Sequence, residues 1–146
     1  MTQRSITVKR AETRAELAAV RAVRLRVFVQ EQGVPETEEY DELDAVADHA
    51  IALADGAAVA TGRLIDEEPG VARIGRMAVD RAWRRRGIGG RVLAYLEVEA
   101  RSTGCRESVL HAQRYVEGFY ARHGYRPEGA PFDEAGIEHI TMRKTL

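Results

Sequence analysis

The chain has 146 residues, 45% hydrophobic and 31% charged, with a formal net charge of −1. That is the size of one ordinary domain with apolar content for one substantial core. The balanced charge excludes a global field toward nucleic acid, and no stretch reaches the length of a transmembrane helix, so neither a nucleic-acid nor a membrane partner is expected.

The N-terminal segment MTQRSITVKRAETR lacks the apolar stretch of a signal peptide. A single cysteine, Cys105, excludes an internal disulfide and a cysteine metal cluster. Both suit a reducing cytoplasm, and no metal is expected. Residues 5–10 alternate and predict a first strand. Thr13, with Glu16 three residues on, has the form of a capping box. Leu17, Val20, Leu25 and Phe28 then give a helical apolar stripe to about Val29, and Gly33-Val34-Pro35 stops it. The acidic stretch 36–48, ETEEYDELDAVAD, reads as a loop over a site, with room for a short helix.

Residues 49–54 and 57–65 predict a hairpin around Asp55-Gly56. Residues 71–79 add a third strand after the turn Glu68-Pro69-Gly70. A helix follows over 87–103, ended by Gly104. Residues 106–112 read as a strand, 116–123 as a short helix stopped by Gly124, 127–133 as a loop and 137–144 as a last strand. The expected fold class is α+β, one domain over residues 1–146 with a mixed, mostly antiparallel central sheet flanked by helices. Strand 137–144 is the expected edge through which two copies could pair as a homodimer.

The segment 71–100, VARIGRMAVDRAWRRRGIGGRVLAYLEVEA, carries the chemistry. A strand runs into Arg84-Arg85-Arg86-Gly87-Ile88-Gly89-Gly90 and a helix starts at once. Glycines let the backbone approach an anion, and the first helical amides have no intrahelical acceptor. The helix dipole and three arginines add positive potential. A phosphate-bearing ligand is expected here. A Walker loop needs a lysine that this turn lacks, and a dinucleotide fold needs G-x-G-x-x-G in a first parallel unit.

Arg84-x-x-Gly87-x-Gly89 is similar to the [QR]-x-x-G-x-[GA] signature of the GNAT acetyltransferase superfamily. Phe119-Tyr120-Ala121-Arg122-His123-Gly124-Tyr125 is similar to its F-Y-x-x-x-G-[FY] segment. Arg26-Val27-Phe28-Val29-x-Glu31-Gln32, His111-Ala112-Gln113 and Ile137-Glu138-His139-Ile140-x-Met142 resemble the ElaA-like and glucosamine-phosphate acetyltransferase-like branch. The resemblance spans essentially the whole chain. It implies the GNAT fold, with α/β/α layers, and acetyl-CoA as the cofactor. It implies that backbone amides of Arg85, Arg86, Gly87, Ile88, Gly89 and Gly90 hold the pyrophosphate, with charge added by Arg84 and its neighbours. It also implies that Met77, Ala78 and Val79, at a bulge, offer main-chain groups to the pantetheine arm and the thioester carbonyl. Gln113, where many relatives carry asparagine, is placed along the same arm. Tyr120 is placed as general acid to the departing thiolate, a phenol protonated at neutral pH.

The base is open. Some relatives carry a glutamate on the fourth strand, where this chain has Arg73. The candidates are Glu31, which would need a pKa raised by burial, His111 on the fifth strand, or a water chain. His49 and His139 are expected to face one another across the sheet, without metal-ligand spacing. Over an acceptor cleft, the carboxylates of 36–48 would favour a cationic amine. The expected function is acetyl-CoA-dependent N-acetyl transfer to a primary amine of a small molecule. Two alternatives stand beside it. One is a non-catalytic CoA-binding sensor or partner module, suggested by the missing glutamate and by Gln113. The other is an acetyltransferase acting on protein lysines or N-termini.

Overall fold

The computed structural model describes residues 5–146, so the first four positions of the N-terminal segment lie outside it. The apolar and alternating runs become β1 Ile6–Arg10, β2 Asp48–Ala54, β3 Ala57–Glu68, β4 Val71–Val79, β5 Glu107–Gln113, β6 Arg126–Glu134 and β7 Ile137–Thr145. They form one sheet in the order β1-β2-β3-β4-β5-β7-β6. Among the described residues only the β4–β5 pair is parallel; its neighbours on both sides are antiparallel. The helices are α1 Arg14–Arg24, α2 Glu36–Glu39, α3 Ile88–Ser102 and α4 Glu117–Arg122. Among the described residues, none is long and apolar enough to cross a membrane.

The expected α/β/α layering follows from the two apolar stripes. On α3, Val92, Leu93, Leu96 and Ala100 are buried with Ala50, Ala60, Leu64, Ile74 and Leu110 of the sheet. On the opposite face, Val20 of α1 packs with Ile51, and Val23 and Phe28 pack with Ala78. The capping box forms as read: Thr13 Oγ1 accepts from the Glu16 amide at 3.0 Å, and Glu16 accepts from the Thr13 amide at 3.1 Å.

The α-helix read as running to Val29 gives way at Leu25 to a π-helical segment, Leu25–Glu31. A wider turn of this kind inserts a residue into the ladder and re-aims the side chains C-terminal to it. Here it carries Glu31 and Gln32 to the ends of β4 and β5. Residues 127–133 are a strand rather than a loop. Gly129 and Pro131 fall in a register irregularity of β6, between Glu128 and Phe132, on the outer strand of the sheet. Proline is tolerated at such edge bulges. Because β6 covers it, β7 is interior and offers no free edge, which corrects the pairing surface expected there. β3, β4 and β5 separate β2 from β7, so His49 and His139 do not face one another.

One glycine is required by space. Gly62 of β3 sits under α3, where an added Cβ would lie 2.6 Å from Met77 Sδ and 2.8 Å from Leu96 Cδ1. Gly62→Ala is therefore expected to destabilise the fold by about 1–3 kcal/mol through overpacking, read as a lowered thermal midpoint.

Candidate functional site

The parallel pairing of β4 with β5 ends at Arg73 and Val109, and beyond that point β4 stays with β3 and β5 with β7. The two strands diverge into a wedge. A bulge helps to open it: Arg76 and Met77 of β4 oppose the single residue Gly62, and Arg76 takes a left-handed φ of 51°. Backbone groups along Met77, Ala78 and Val79 on the β5 side are thereby freed from the ladder with β5. This is the bulge expected beside Met77, Ala78 and Val79.

The glycine-arginine turn closes the wedge at the end of β4. Arg85 and Gly87 both have positive φ, 65° and 76°. Gly87 is the residue before α3 and offers no capping side chain, so the amides of Ile88, Gly89 and Gly90 stand at a helix start with no intrahelical acceptor. The second motif packs directly on this turn. A Cβ on Gly89 would lie 3.5 Å from Phe119, and one on Gly90 would lie 2.9 Å from His123. Arg85 and Arg86 are exposed, with Arg86 stacked 4.9 Å over the Trp83 ring.

Arg84 does not add free charge. Its Nε donates to the Val79 carbonyl at 2.9 Å, and its two Nη atoms meet Glu31 at 2.5 and 2.6 Å. The same pair corrects the view of Glu31 as a carboxylate raised by burial. The Arg84 fork holds Glu31 below the usual carboxylate range. Glu31 therefore braces the turn. Glu31→Gln is expected to leave kcat within about threefold, against a loss of about a hundredfold or more for removal of a base.

On the α1 face, the wedge widens into a cavity of about 240 Å³. Its wall is the acidic stretch, which forms α2 and the 3₁₀ turn Glu42–Ala45. These carboxylates are already engaged. Arg24 meets Glu39 at 2.6 Å and Asp44 at 2.5 Å, and Arg63 meets Asp41 at 2.7 Å and Asp44 at 3.0 Å. Arg24, Glu39, Asp44 and Arg63 are all buried. The expectation that the carboxylates of 36–48 favour a cationic amine is thus narrowed: Glu39, Asp41 and Asp44 are engaged by arginines, Glu38 of the same stretch lines the cavity, and Arg63, Arg73 and Arg76 line it too.

Tyr120 and His111 also line it. Tyr120 is buried, edge-on to Phe119 at 5.0 Å, and burial pushes its phenol well above the usual tyrosine value. The other tyrosine of that motif, Tyr125, is a core anchor whose hydroxyl meets Ser108 at 2.7 Å and Glu97 at 2.9 Å. On β5, His111 Nδ1 lies 3.0 Å from Arg73 Nη2 and 3.2 Å from Glu134 Oε1. Glu134 also lies 3.5 Å from His139 Nε2. The hydrogen bond with His111 holds Glu134 below the usual range despite its partial burial. Gln113 lines the wedge and exchanges amide hydrogen bonds with Gln32 at 2.9 and 3.3 Å.

Sequence reading did not find Arg63, Arg76 or Glu134. The only trace was an acidic stretch in a chain rich in arginine. Which arginine meets which acid depends on the sheet register.

The family model described as an acetyltransferase (GNAT) domain matches residues 11–146. The uncharacterized N-acetyltransferase YjcF of Bacillus subtilis is 37% identical over 123 residues, 84% of this chain and 87% of that protein. A crystal structure of an acyl-CoA N-acyltransferase from Pseudomonas aeruginosa superposes with a TM-score of 0.84 at 32% identity, covering 98% of this chain and 100% of that one. Escherichia coli ElaA shares the fold, with a TM-score of 0.83 at 23% identity over 97% of this chain and 99% of its own.

Proposed function

Because the chain belongs to the GNAT acetyltransferase family, we propose that this acyltransferase, acting as one domain, moves an acetyl group from acetyl-CoA to a primary amine of a small molecule. The observation that carries the reading is the joining of wedge, turn and cavity at one place: the β4–β5 split opens beside an uncapped helix start and leads into a cavity lined by Tyr120 and His111.

The residues present fit acetyl-CoA. Amides at Ile88, Gly89 and Gly90, with Arg85 and Arg86 beside them, suit a pyrophosphate. The freed main chain of Met77 to Val79 suits an extended arm and a carbonyl oxygen, and Gln113 flanks the arm. When bound, the thioester supplies the acetyl group. A C–N bond forms to the amine as the C–S bond breaks, the ammonium proton leaves to the protein, and the thiolate takes a proton.

Tyr120 holds the proton for the sulfur, since its raised pKa keeps the phenol protonated at neutral pH. His111 takes the proton of the amine, being an imidazole at the cavity wall with a carboxylate, Glu134, beside its Nδ1. A small-molecule acceptor is supported by the cavity of about 240 Å³ that α2 and the 3₁₀ turn line, which suits a compact amine.

The test is release of free CoA thiol from acetyl-CoA across a panel of amines. Amine-dependent release is expected. Release that no amine increases would leave a CoA-binding module without catalysis, and acetylation of peptides in preference to free amines would favour a protein acceptor.

A further inference from the structure

Two guanidinium groups on the cavity floor are poorly neutralised. Arg24 and Arg63, deeper in the wall, meet carboxylate oxygens at 2.5 to 3.0 Å. Arg76 donates from Nε to the Glu39 backbone carbonyl at 3.1 Å, but its nearest carboxylate oxygens lie at 3.3 Å on Asp41 and 3.8 Å on Glu39, and Arg73 meets the Glu67 carboxylate at 3.8 Å. Their side chains are 24% and 26% exposed, and both line the cavity. Burial, then repulsion from Arg63 and Arg24, lowers the proton affinity of Arg76, with Asp41 and Glu39 acting in the opposite sense. Arg76 also holds its left-handed φ of 51° without being glycine, a conformation that L side chains rarely adopt.

Between these two arginines stands Gly75. It is directly opposite Arg63 in the β3–β4 register and so faces the cavity side. A Cβ built on it would have nothing within 4 Å. The floor therefore has a gap the size of a small substituent, with a guanidinium on each side. The opposite requirement is present too: Glu38 and Glu134 line the same cavity and suit an ammonium group.

Building on the acetyl-transfer reading, we infer that the acceptor carries an anionic group, carboxylate or phosphate, a few bonds from its amine, and that this group seats over Gly75 between Arg73 and Arg76. Arg73 Nη2 is 3.0 Å from His111 Nδ1. A group held by Arg73 and an amine facing His111 therefore belong to one short fragment, as in an α-amino acid or 2-aminoethyl phosphate. The contact also links recognition to proton transfer. Nδ1 can serve Arg73 or Glu134, but not both. With Arg73 donating to Nδ1, a neutral ring carries its proton on Nε2. With Arg73 drawn to an anion, the proton sits on Nδ1 toward Glu134, and Nε2 is free to accept one.

The test is calorimetric titration of matched pairs into the CoA-saturated protein: small α-amino acids against their amides, and 2-aminoethyl phosphate against ethanolamine. In at least one pair the anionic member is expected to bind about tenfold or more tightly than its neutral partner, the size of one charge-assisted hydrogen bond. The two kinds of pair separate carboxylate from phosphate. Arg73→Gln is expected to erase that preference. Gly75→Ala, which meets no protein atom, is expected to weaken the anionic member at an unchanged thermal midpoint. Neutral members binding as well as anionic ones, or no member binding at all, would overturn the inference. Selective binding without thiol release would leave the inference standing and remove the acetyl-transfer reading instead.

Discussion

Tyr120→Phe is expected to lower kcat about a hundredfold while the affinity for acetyl-CoA stays within about twofold. The substitution removes one oxygen and keeps the ring, so the edge-on contacts with Phe119 at 5.0 Å and Tyr125 at 6.0 Å persist. The fold should therefore survive, and circular dichroism checks that it does. What is lost is the proton that the departing sulfur needs. Because burial raises the phenol above its usual value, the hydroxyl stays protonated throughout the neutral range, and no loss of the acid form limits turnover there. Steady-state kinetics with saturating acetyl-CoA separates the two effects. An unchanged kcat would remove Tyr120 from the chemistry and leave it as a packing residue.

Arg24→Met is expected to destabilise the protein by about 3–5 kcal/mol at neutral pH. Arg24 is 1% exposed, and its partners Glu39 and Asp44 are buried with it. Methionine fills much of the space but leaves Glu39 without the 2.6 Å contact and Asp44 with Arg63 as its one remaining arginine partner beside the Asp41 amide. Breaking one side of a buried ionic cluster strands the other side away from water, which is costlier than the cluster's own net contribution. Burial alone would raise Asp44, yet hydrogen bonds from Arg24, the Asp41 amide and Arg63 lower it to about 2. A carboxylate depressed in the folded state contributes stability that is complete above its unfolded pKa of about 4, and loses it as the pH falls through about 2. The penalty of Arg24→Met should thus be largest near neutrality and shrink under acid, as the stranded carboxylates protonate. Thermal melts at neutral and acidic pH check both parts. A penalty below about 1 kcal/mol would mean that the wall is held by other contacts.

The turn and the Phe119–Tyr125 segment were legible in the sequence because local chemistry restricts their residues. Gly87 needs its positive φ, and the helix start after it needs no partner from elsewhere in the chain. β4 was legible to the residue, since its apolar run is bounded by Gly70 and Asp80. The acidic wall was not. Arg24 and Asp44 are 20 residues apart, Arg63 and Asp44 are 19, and Arg76 and Asp41 are 35, so only the sheet register and the path of the π-helical segment bring them together. Read locally, residues 36–48 were acids waiting for a cation, and the cations were supplied by the fold. β6 was hidden for a related reason. Gly129 and Pro131 are loop residues by propensity, and only a place on the outer strand at an irregular register makes them acceptable in a sheet.

The donor site is tested most directly by titrating acetyl-CoA into the protein. The predicted result is one-to-one binding with a sub-millimolar Kd, weakened about tenfold or more by Gly87→Val, because a β-branched residue at a φ of 76° costs about 1–2 kcal/mol and displaces the helix start. No heat of binding at millimolar acetyl-CoA, or an affinity indifferent to Gly87→Val, would contradict the placement of the donor at the glycine-arginine turn.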